Sequence, residues 1–338
     1  MALISILSRL PSAAAAEEVA ATGWRRAAFW VALAVAAVLP FVVQNFVIFQ
    51  LTMAVDYAVA ILGLNLLTGI NGQFSLGHST FFAIGAYASA ILMNDADLSF
   101  YWTLPIAGLI CFGFGFLFGL PALRLGPVYL ALATFALAFA TPQLLRSTPL
   151  KPWTGGVEGI SVVRPDTPFG LPLTGDQWLY LVSLAVALLM VWGAVNLIDS
   201  RTGRALIAIR DNPIAARAMG VNLALYKTTT FGVSALYAGV AGALSTAAVQ
   251  YVAPDSFTIT LAIGLFVGLV IGGVGSVAGC VFGGLFLVFV PNVAESLSKG
   301  LANAVYGVIL LLVIYLMPAG VGGLMRLLAA KIEARRRS

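Results

Sequence analysis

The stretch GLNLLTGINGQFSLGHSTFFAIGAY, residues 63–87, places polar side chains and five glycines between two segments apolar enough to cross a bilayer. Unpaired amides and hydroxyls in hydrocarbon are costly, so such groups usually face protein, water or a ligand. Glycine lets the backbone leave helical geometry and lets neighbouring helices approach closely. The stretch therefore predicts a solute path, and its candidate lining residues are Asn65, Gln73, Ser75, His78 and Ser79.

The composition indicates an integral membrane protein. Of 338 residues, 61% are hydrophobic and 9% are charged, whereas soluble domains carry about 25% charged residues. The two cysteines, Cys111 and Cys280, lie in apolar segments, which argues against a disulfide framework or a CxxC site. With one histidine and few acidic residues in the apolar segments, we predict no metal site, no cofactor bound by this chain and no catalytic residue.

About 20 apolar residues are needed for each helical crossing, and on that basis the chain predicts an all-α, polytopic bundle of about ten transmembrane helices. No cleavable signal peptide is evident, so we expect the first anchor to be retained. We divide the chain into a cytoplasmic segment 1–26, a transmembrane domain 27–320 and a basic cytoplasmic tail 321–338. The predicted spans are approximately 27–44, 47–69, 74–93, 102–122, 127–145, 178–198, 229–251, 258–275, 279–296 and 301–318.

The positive charges predict the orientation of these spans. Ten spans would put 14 of the 18 Lys and Arg residues on one side, which makes that side cytoplasmic and places both termini there. The remaining four lie on the other side: Arg146, Lys151, Arg164 and Lys299. The net charge of +5 is then an orientation signal and an attraction to anionic lipid rather than an indication of nucleic-acid binding.

Two hydrophilic loops interrupt the apolar segments. The outer loop, 146–177, is rich in Pro and Gly and is predicted to lack long helices. The inner loop, 199–228, predicts a helix of about seven residues that begins after an Asn212 cap with Pro213 in its first turn and stops at Gly220. Such a helix is only about 10 Å long and cannot remain folded alone, so another structure must hold it.

Five segments that follow one another along the chain, together with one residue spacing, resemble features of a known family. In the inner loop, Ala215, Ala216 and Gly220 have the AAxxxG spacing of the loop that docks ABC importer permeases onto their ATPases. The segment GRALIAIRDN, 203–212, is similar to the form found in LivM-type permeases of branched-chain amino acid importers. Further LivM-like motifs are GLNLLTGINGQFSLGH (63–78), TGGVEGI (154–160), IGGVGSVAG (271–279) and MPAGVGGL (317–324).

The resemblance implies one half of a heterodimeric permease in the bacterial cytoplasmic (inner) membrane. Its partners would be a LivH-like second permease, two cytoplasmic LivG/LivF-like ATPases and a periplasmic or extracellular solute-binding protein. ATP and Mg²⁺ would be bound by the ATPases, in agreement with the lack of a GxxxxGK[ST] motif here. The implied ATPase-docking residues are Arg210, Asn212, Pro213, Ile214, Ala215, Ala216, Arg217, Met219 and Gly220, and the candidates for binding-protein contact are Trp153, Thr154, Gly155 and Gly156.

Two residues depart from the family pattern. Ile214 stands where the general docking motif has Glu, which puts a charge-based contact at that point in doubt. Asp56 lies inside the second predicted span, where LivM-like chains are usually apolar. An intramembrane carboxyl group is a candidate functional site, so Asp56 joins the path candidates, with pairing to the second permease or protonation as the alternatives.

Each of these predictions has a competing interpretation. The polar residues of 63–78 would also serve to fix helix packing through interhelical hydrogen bonds, and the glycines of 268–284 favour close helix packing over solute contact. Two other function classes remain open. An ion-coupled secondary transporter would need no docking helix, and an intramembrane hydrolase would need Ser276 to pair with His78. The substrate stays open as well, since permeases of this type also move urea, short amides and aromatic acids.

Overall fold

The computed structural model describes residues 30–165, 167, 173–297, 302–317 and 319–324. The predicted cytoplasmic segment 1–26, Lys299 and residues 325–338 of the predicted tail lie outside the described residues. The described helices are α1 (Trp30–Phe41), α2 (Asn45–Leu64), α3 (His78–Asn94), α4 (Phe100–Ala122), α5 (Pro127–Leu145), α6 (Gly175–Asp199), α7 (Arg201–Asp211), α8 (Pro213–Ala218), α9 (Leu223–Val249), α10 (Ile259–Gly272), α11 (Gly279–Leu297) and α12 (Ala302–Leu316).

These helices make a helical integral membrane protein, as the composition predicted. Within the described part of the chain, six segments are long and apolar enough to cross a membrane. They are α2 with its continuation to Ile70, α4, α5, α6, α9 and most of α11. The remaining predicted spans coincide with the shorter helices α1, α3, α10 and α12.

Helix α9 lies at the centre of the bundle, in contact with α2, α3 and α4, and it is the most buried of the six long helices. Its glycines allow backbone to meet backbone. A Cβ atom at Gly242 would overlap the carbonyl oxygen of Phe82 in α3, and one at Gly85 would overlap the carbonyl oxygen of Gly239. Because lipid tails are as apolar as leucine, such close packing is a main source of association between membrane helices.

A second glycine contact joins α10 and α11. The sequence predicted close packing here from two small-xxx-small pairs, Gly268 with Gly272 and Gly279 with Gly283. In the structure, Cβ atoms at Gly272 and Gly279 would each overlap the other residue's carbonyl group, and a Cβ at Gly283 would overlap that of Gly268. The packing prediction is confirmed.

The loops between the helices form two groups, one at each end of α3. In one group, Gln73 donates from Nε2 to the carbonyl oxygen of Lys227 at 3.2 Å. In the other, Asn94 donates from Nδ2 to the carbonyl oxygen of Ser161 at 2.9 Å. The 17 residues of α3 separate the two groups, by about 25 Å at 1.5 Å per residue. We call the first group the inner end and the second the outer end.

The outer loop contains no long helix within its described residues, as the sequence predicted. It has a four-residue helical turn, Lys151–Thr154. It also has a two-residue strand, β1 (Ile160–Ser161), which pairs antiparallel with β2 (Tyr251–Val252) after α9. The sequence did not predict this pairing, because two residues carry no readable alternation.

We expect Gly242→Ala to destabilise the protein by about 1–3 kcal/mol, because the added methyl group has no space against the backbone of Phe82. The apparent melting temperature in detergent would measure the loss. Gly113→Ala in α4 is the matched control, since a Cβ there meets no atom within 4 Å. An equal melting temperature for the two variants would contradict the central position of α9.

Candidate functional site

The inner end contains a helix break that begins at Asn65, the first path candidate. After Leu64, α2 continues as one π-helical stretch, Asn65–Ile70, and the chain is then non-helical until His78. Asn65 is 1% exposed. Its amide group donates from Nδ2 to the Ser276 carbonyl at 3.1 Å, and its Oδ1 accepts from the Gly275 N–H at 2.7 Å. Asn65 therefore joins two chain corners that are about 210 residues apart in sequence.

A third turn of the chain, at residues 319–322, contacts the turn at residues 273–278. The backbone of Gly320 lies against that of Gly273, where a Cβ on Gly320 would be 2.6 Å from the Gly273 nitrogen. Gly322 is similarly close to the Ser276 side chain. We name the residues 65–77, 273–278 and 319–322 the corner cluster. Three of the motifs quoted from the sequence thus meet at one end of the bundle.

His78 is fully enclosed by protein. Its Nε2 lies 2.7 Å from Oγ of Ser234 in α9, and that hydroxyl donates to the Gly63 carbonyl at 2.6 Å. A hydroxyl group has one proton, so Nε2 of His78 carries the proton that it shares with Ser234. The Nδ1 atom has no protein partner. The Ser276–His78 pair that a hydrolase would need is therefore not formed.

The remaining candidates of this stretch differ in their partners. Gln73 binds the Lys227 carbonyl, and Ser75 Oγ accepts from the Gly77 N–H at 3.3 Å. Ser79 Oγ is buried and has no protein partner. Asn65, Gln73, Ser75 and His78 thus make packing contacts inside this chain. Their role in a solute path stays a prediction.

Asp56 is completely buried in the middle of α2. The side chain of Ser183 in α6 lies close to the carboxyl group of Asp56. Neither carboxyl oxygen has a partner with hydrogen-bond geometry. Because its own chain encloses Asp56, the alternative that it pairs with a second permease is wrong. Among the described residues, no group of three or more His, Cys, Asp or Glu is arranged to hold a metal ion.

Only one of the predicted outer-loop contacts is well exposed. Trp153 is 57% exposed, but Thr154 is buried and donates to the Leu145 carbonyl at 2.8 Å. Thr154 is thus a structural cap on α5, and the prediction that it contacts a binding protein is wrong. Gly155 and Gly156 have φ angles of 69° and 63°, which turn the chain in a conformation that favours glycine.

Long-range contacts that the sequence did not predict hold the outer loop. An ion pair joins Arg146 to Asp255, and Tyr251 donates from its hydroxyl to the Glu158 carbonyl at 2.6 Å. Asn94 at the end of α3 adds a third contact. The paired residues lie 67 to 109 positions apart, and no local pattern signals their pairing.

The predicted docking helix exists. Helix α8 runs over Pro213–Ala218 and is capped by Asn212, whose Oδ1 accepts from the N–H groups of Ile214 and Ala215 at 3.1 Å. Gly220 has φ +85°, the left-handed stop that the sequence predicted.

Apart from Arg217, the exposed side chains of α8 and of Met219, which follows it, are apolar. The side chains of Ile214 and Met219 are 82% and 85% exposed, and Ala215 is exposed between them. Ala216 is 4% exposed and faces this chain. The prediction that Ala216 lies in a docking contact is therefore wrong, whereas Ile214, Ala215 and Met219 remain available to a partner.

Arg210 and Arg217 lie on different helices. The backbone leaves helical geometry between them at Asn212, with φ −154° and ψ 98°. Arg217 is exposed on α8. The side chain of Arg210 is 40% exposed and donates from Nη1 to the Gly69 carbonyl at 3.0 Å.

We expect Asn65→Leu to destabilise the protein by about 1–3 kcal/mol, because the Gly275 N–H loses its acceptor in a partly buried site. Thermal unfolding of the purified protein would measure this loss. Asn292→Leu is the control, since the Asn292 amide bonds only within its own helix, to the Val288 carbonyl. Equal melting temperatures for the two variants would show that the long-range bonds of Asn65 contribute nothing.

The chain was compared with known proteins. The family described as "Branched-chain amino acid transport system / permease component" matches residues 46–316. The protein "High-affinity branched-chain amino acid transport system permease protein LivM" of Escherichia coli is 33% identical over 312 residues, which cover 85% of this chain and 73% of that protein. The LivH permease of Salmonella typhimurium is 28% identical, over 80% of this chain and 92% of its own length.

A more distant relative has a similar name. The "Probable branched-chain amino acid transport permease protein LivM" of Methanocaldococcus jannaschii is 27% identical, over 75% of this chain and 76% of its own length. No solved structure matches the chain. Since the family covers most of the chain and includes the corner cluster through residue 278, the chain belongs to the permease components of branched-chain amino acid transport systems.

Proposed function

We propose that this chain is the LivM-like half of an ATP-driven importer that moves branched-chain amino acids, or a related small solute, into the cell. One observation carries the proposal: α8 is a capped helix of six residues that presents apolar side chains away from its own chain. A helix this short is unstable unless tertiary contacts support it. An exposed apolar surface of this kind is typical of a contact with another protein.

The occupant of that surface would be a cytoplasmic ATPase. Ile214 and Met219 would enter an apolar groove, with Ala215 allowing a close approach. Closure of two such ATPases on ATP and Mg²⁺ would push α8 and the adjoining α7. This chain would bind neither ATP nor Mg²⁺ itself. Arg217, exposed on α8, would meet acidic groups at the rim of the groove.

Two further partners follow from the relatives. The family members most similar to this chain include LivM and LivH permeases, which supports a LivH-like companion as the other half of the path. A periplasmic or extracellular binding protein would deliver the solute to the outer loop, where Trp153 is the exposed candidate. Selectivity would reside in that protein, since the described spans hold no facing pair of opposite charges for a zwitterion.

The solute would move past the polar stretch after α2. Buried polar atoms without protein partners are concentrated between residues 56 and 87: both carboxyl oxygens of Asp56, the amide atoms of Asn71, Nδ1 of His78, Oγ of Ser79 and the hydroxyl of Tyr87. Such groups are costly where they stay unpaired. A second arrangement of the bundle that exposed them to a path would remove that cost. Urea, short amides and aromatic acids are alternative solutes.

We also propose ten spans with both termini in the cytoplasm. The grouping of the loops into an inner and an outer end supports this topology, because Arg201, Arg204, Arg210 and Arg217 belong to the inner end, and the positive-inside rule makes that end cytoplasmic. The proposed membrane is the bacterial cytoplasmic (inner) membrane. The division into the segment 1–26, the domain 27–320 and the tail 321–338 follows from it.

Single cysteines test this topology. In a background lacking Cys111 and Cys280, we expect Val157→Cys to react with an impermeant maleimide in intact cells and Arg201→Cys to react only after the cells are opened. Both side chains are exposed in the structure, so burial would not explain a lack of reaction. Reaction of both cysteines in intact cells would refute the ten-span arrangement.

Substitutions on α8 test the docking role. We expect Ala215→Trp to abolish solute transport and solute-stimulated ATP hydrolysis, because a bulky side chain would keep the groove from closing over the helix. Gly220→Val should act similarly by straining the left-handed stop, although a Cβ there meets no atom within 4 Å. The measurement is the ATPase activity of the reconstituted complex.

The control for both variants is the yield of folded permease on purification, which should match the unaltered protein. Val157→Cys, at an exposed outer position, provides a matched substitution far from α8. Normal stimulation of ATP hydrolysis in Ala215→Trp and Gly220→Val would reject the docking role. It would also favour an ion-coupled secondary transporter, which needs no ATPase.

A further inference from the structure

The inner loop binds the segment Gly69–Gln73 through two residues, one before α8 and one after it. Before α8, Arg210 donates from Nη1 to the Gly69 carbonyl at 3.0 Å. After α8, the Lys227 carbonyl accepts from Nε2 of Gln73 at 3.2 Å. The two contacts bracket Gly69–Gln73, where the π-helical stretch ends and the non-helical segment begins. A displacement of α8 therefore has two direct routes to this segment.

The contact of Arg210 has the chemistry of a helix cap. Gly69 is the second-last residue of the π-helical stretch, and the last carbonyl groups of a helix lack partners within the helix. A cation at this end also interacts favourably with the helix dipole. Nε of Arg210 binds the carboxylate of Asp211 at 3.0 Å, which leaves Nη1 directed at Gly69.

Glycine is required where Arg210 lies against the segment. Gly72 has φ +75°, and a Cβ atom on it would come within 2.8 Å of Cγ of Arg210. The stem of the arginine thus lies across the Gly72 backbone while its guanidinium group holds the carbonyl three residues earlier. Gly69 is also close to the Gly275 backbone, so the same turn connects Arg210 to the loop between α10 and α11.

We propose that Arg210 is a positioning residue that couples the ATPase-docking helix to the π-helical end of α2. The proposal rests on the proposed function, since it assigns the route by which motion of α8 reaches the path. When α7 and α8 move together, the bond from Nη1 carries the Gly69 carbonyl with them. A π-helical turn is a rare local form that is frequent at functional sites, and its return to α-helical geometry would shift the residues that follow.

Arg210→Gln tests the proposal against a matched control. Arg204→Gln removes the same charge from the same helix, but the side chain of Arg204 donates to the Asp199 carbonyl at the end of α6 and not to the segment Gly69–Gln73. The complete complex, with companion permease, ATPases and binding protein, is placed in liposomes and supplied with radiolabelled leucine. The quantity measured is leucine imported per ATP hydrolysed.

We expect Arg210→Gln to lower this ratio about tenfold, with the ATPases still co-purifying and ATP hydrolysis retained. Arg204→Gln should keep the ratio of the unaltered complex. Arg210→Lys, which keeps the charge but has no planar fork, should be intermediate. A normal ratio in Arg210→Gln overturns the proposal, and so does loss of the ATPases on purification, which would make Arg210 a docking residue instead.

Hydrogen exchange provides a readout that does not depend on the transported solute. We expect backbone amides of residues 69–77 to exchange faster in Arg210→Gln than in Arg204→Gln, because the capped end of α2 opens more often. If the unaltered complex imports no leucine, the proposed substrate fails while the exchange result still decides whether Arg210 holds the segment. Equal exchange in the two variants would overturn the inference.

Discussion

Backbone contact between α9 and its neighbours is the constraint on which the other contacts depend. At the crossing with α3, Gly85 and Gly242 leave no room for a Cβ atom, and Gly239 leaves none against Cys111 of α4. Helices in a membrane gain little from burying apolar side chains, because lipid already surrounds them with hydrocarbon. Close approach restores attraction through many dispersion contacts and brings polar groups within hydrogen-bond distance, as in the 2.7 Å contact of His78 with Ser234.

The polar interior follows from that arrangement. Every backbone group released by a break in a membrane helix needs a partner, and solvent is absent there. The structure supplies these partners from remote parts of the chain: Asn65 bonds the corner at Gly275, and Arg210 bonds the end of α2 at Gly69. The breaks are thus stabilised by the same contacts that connect them.

The two ends of the bundle are built differently. The outer end is held by charge and strand pairing, with the Arg146–Asp255 ion pair and the β1–β2 ladder. The inner end is held by glycine contacts and by amide and guanidinium bonds to backbone carbonyls. Backbone carbonyls accept side-chain hydrogen bonds at both ends. In the proposed function, the inner end would receive mechanical input from an ATPase and the outer end would contact a binding protein.

The sequence by itself determined the class of protein, the positions of the long apolar helices and the short capped helix after Asn212, because each depends on a local pattern of hydropathy, capping or glycine. It also identified the family through motifs in order. It did not determine which of those residues point outward: Ala216 and Thr154 are buried, and Arg210 bonds the end of α2. Only the tertiary structure decided these directions and the bonds of Asn65 and His78, because they join residues more than 140 positions apart, which no local pattern relates.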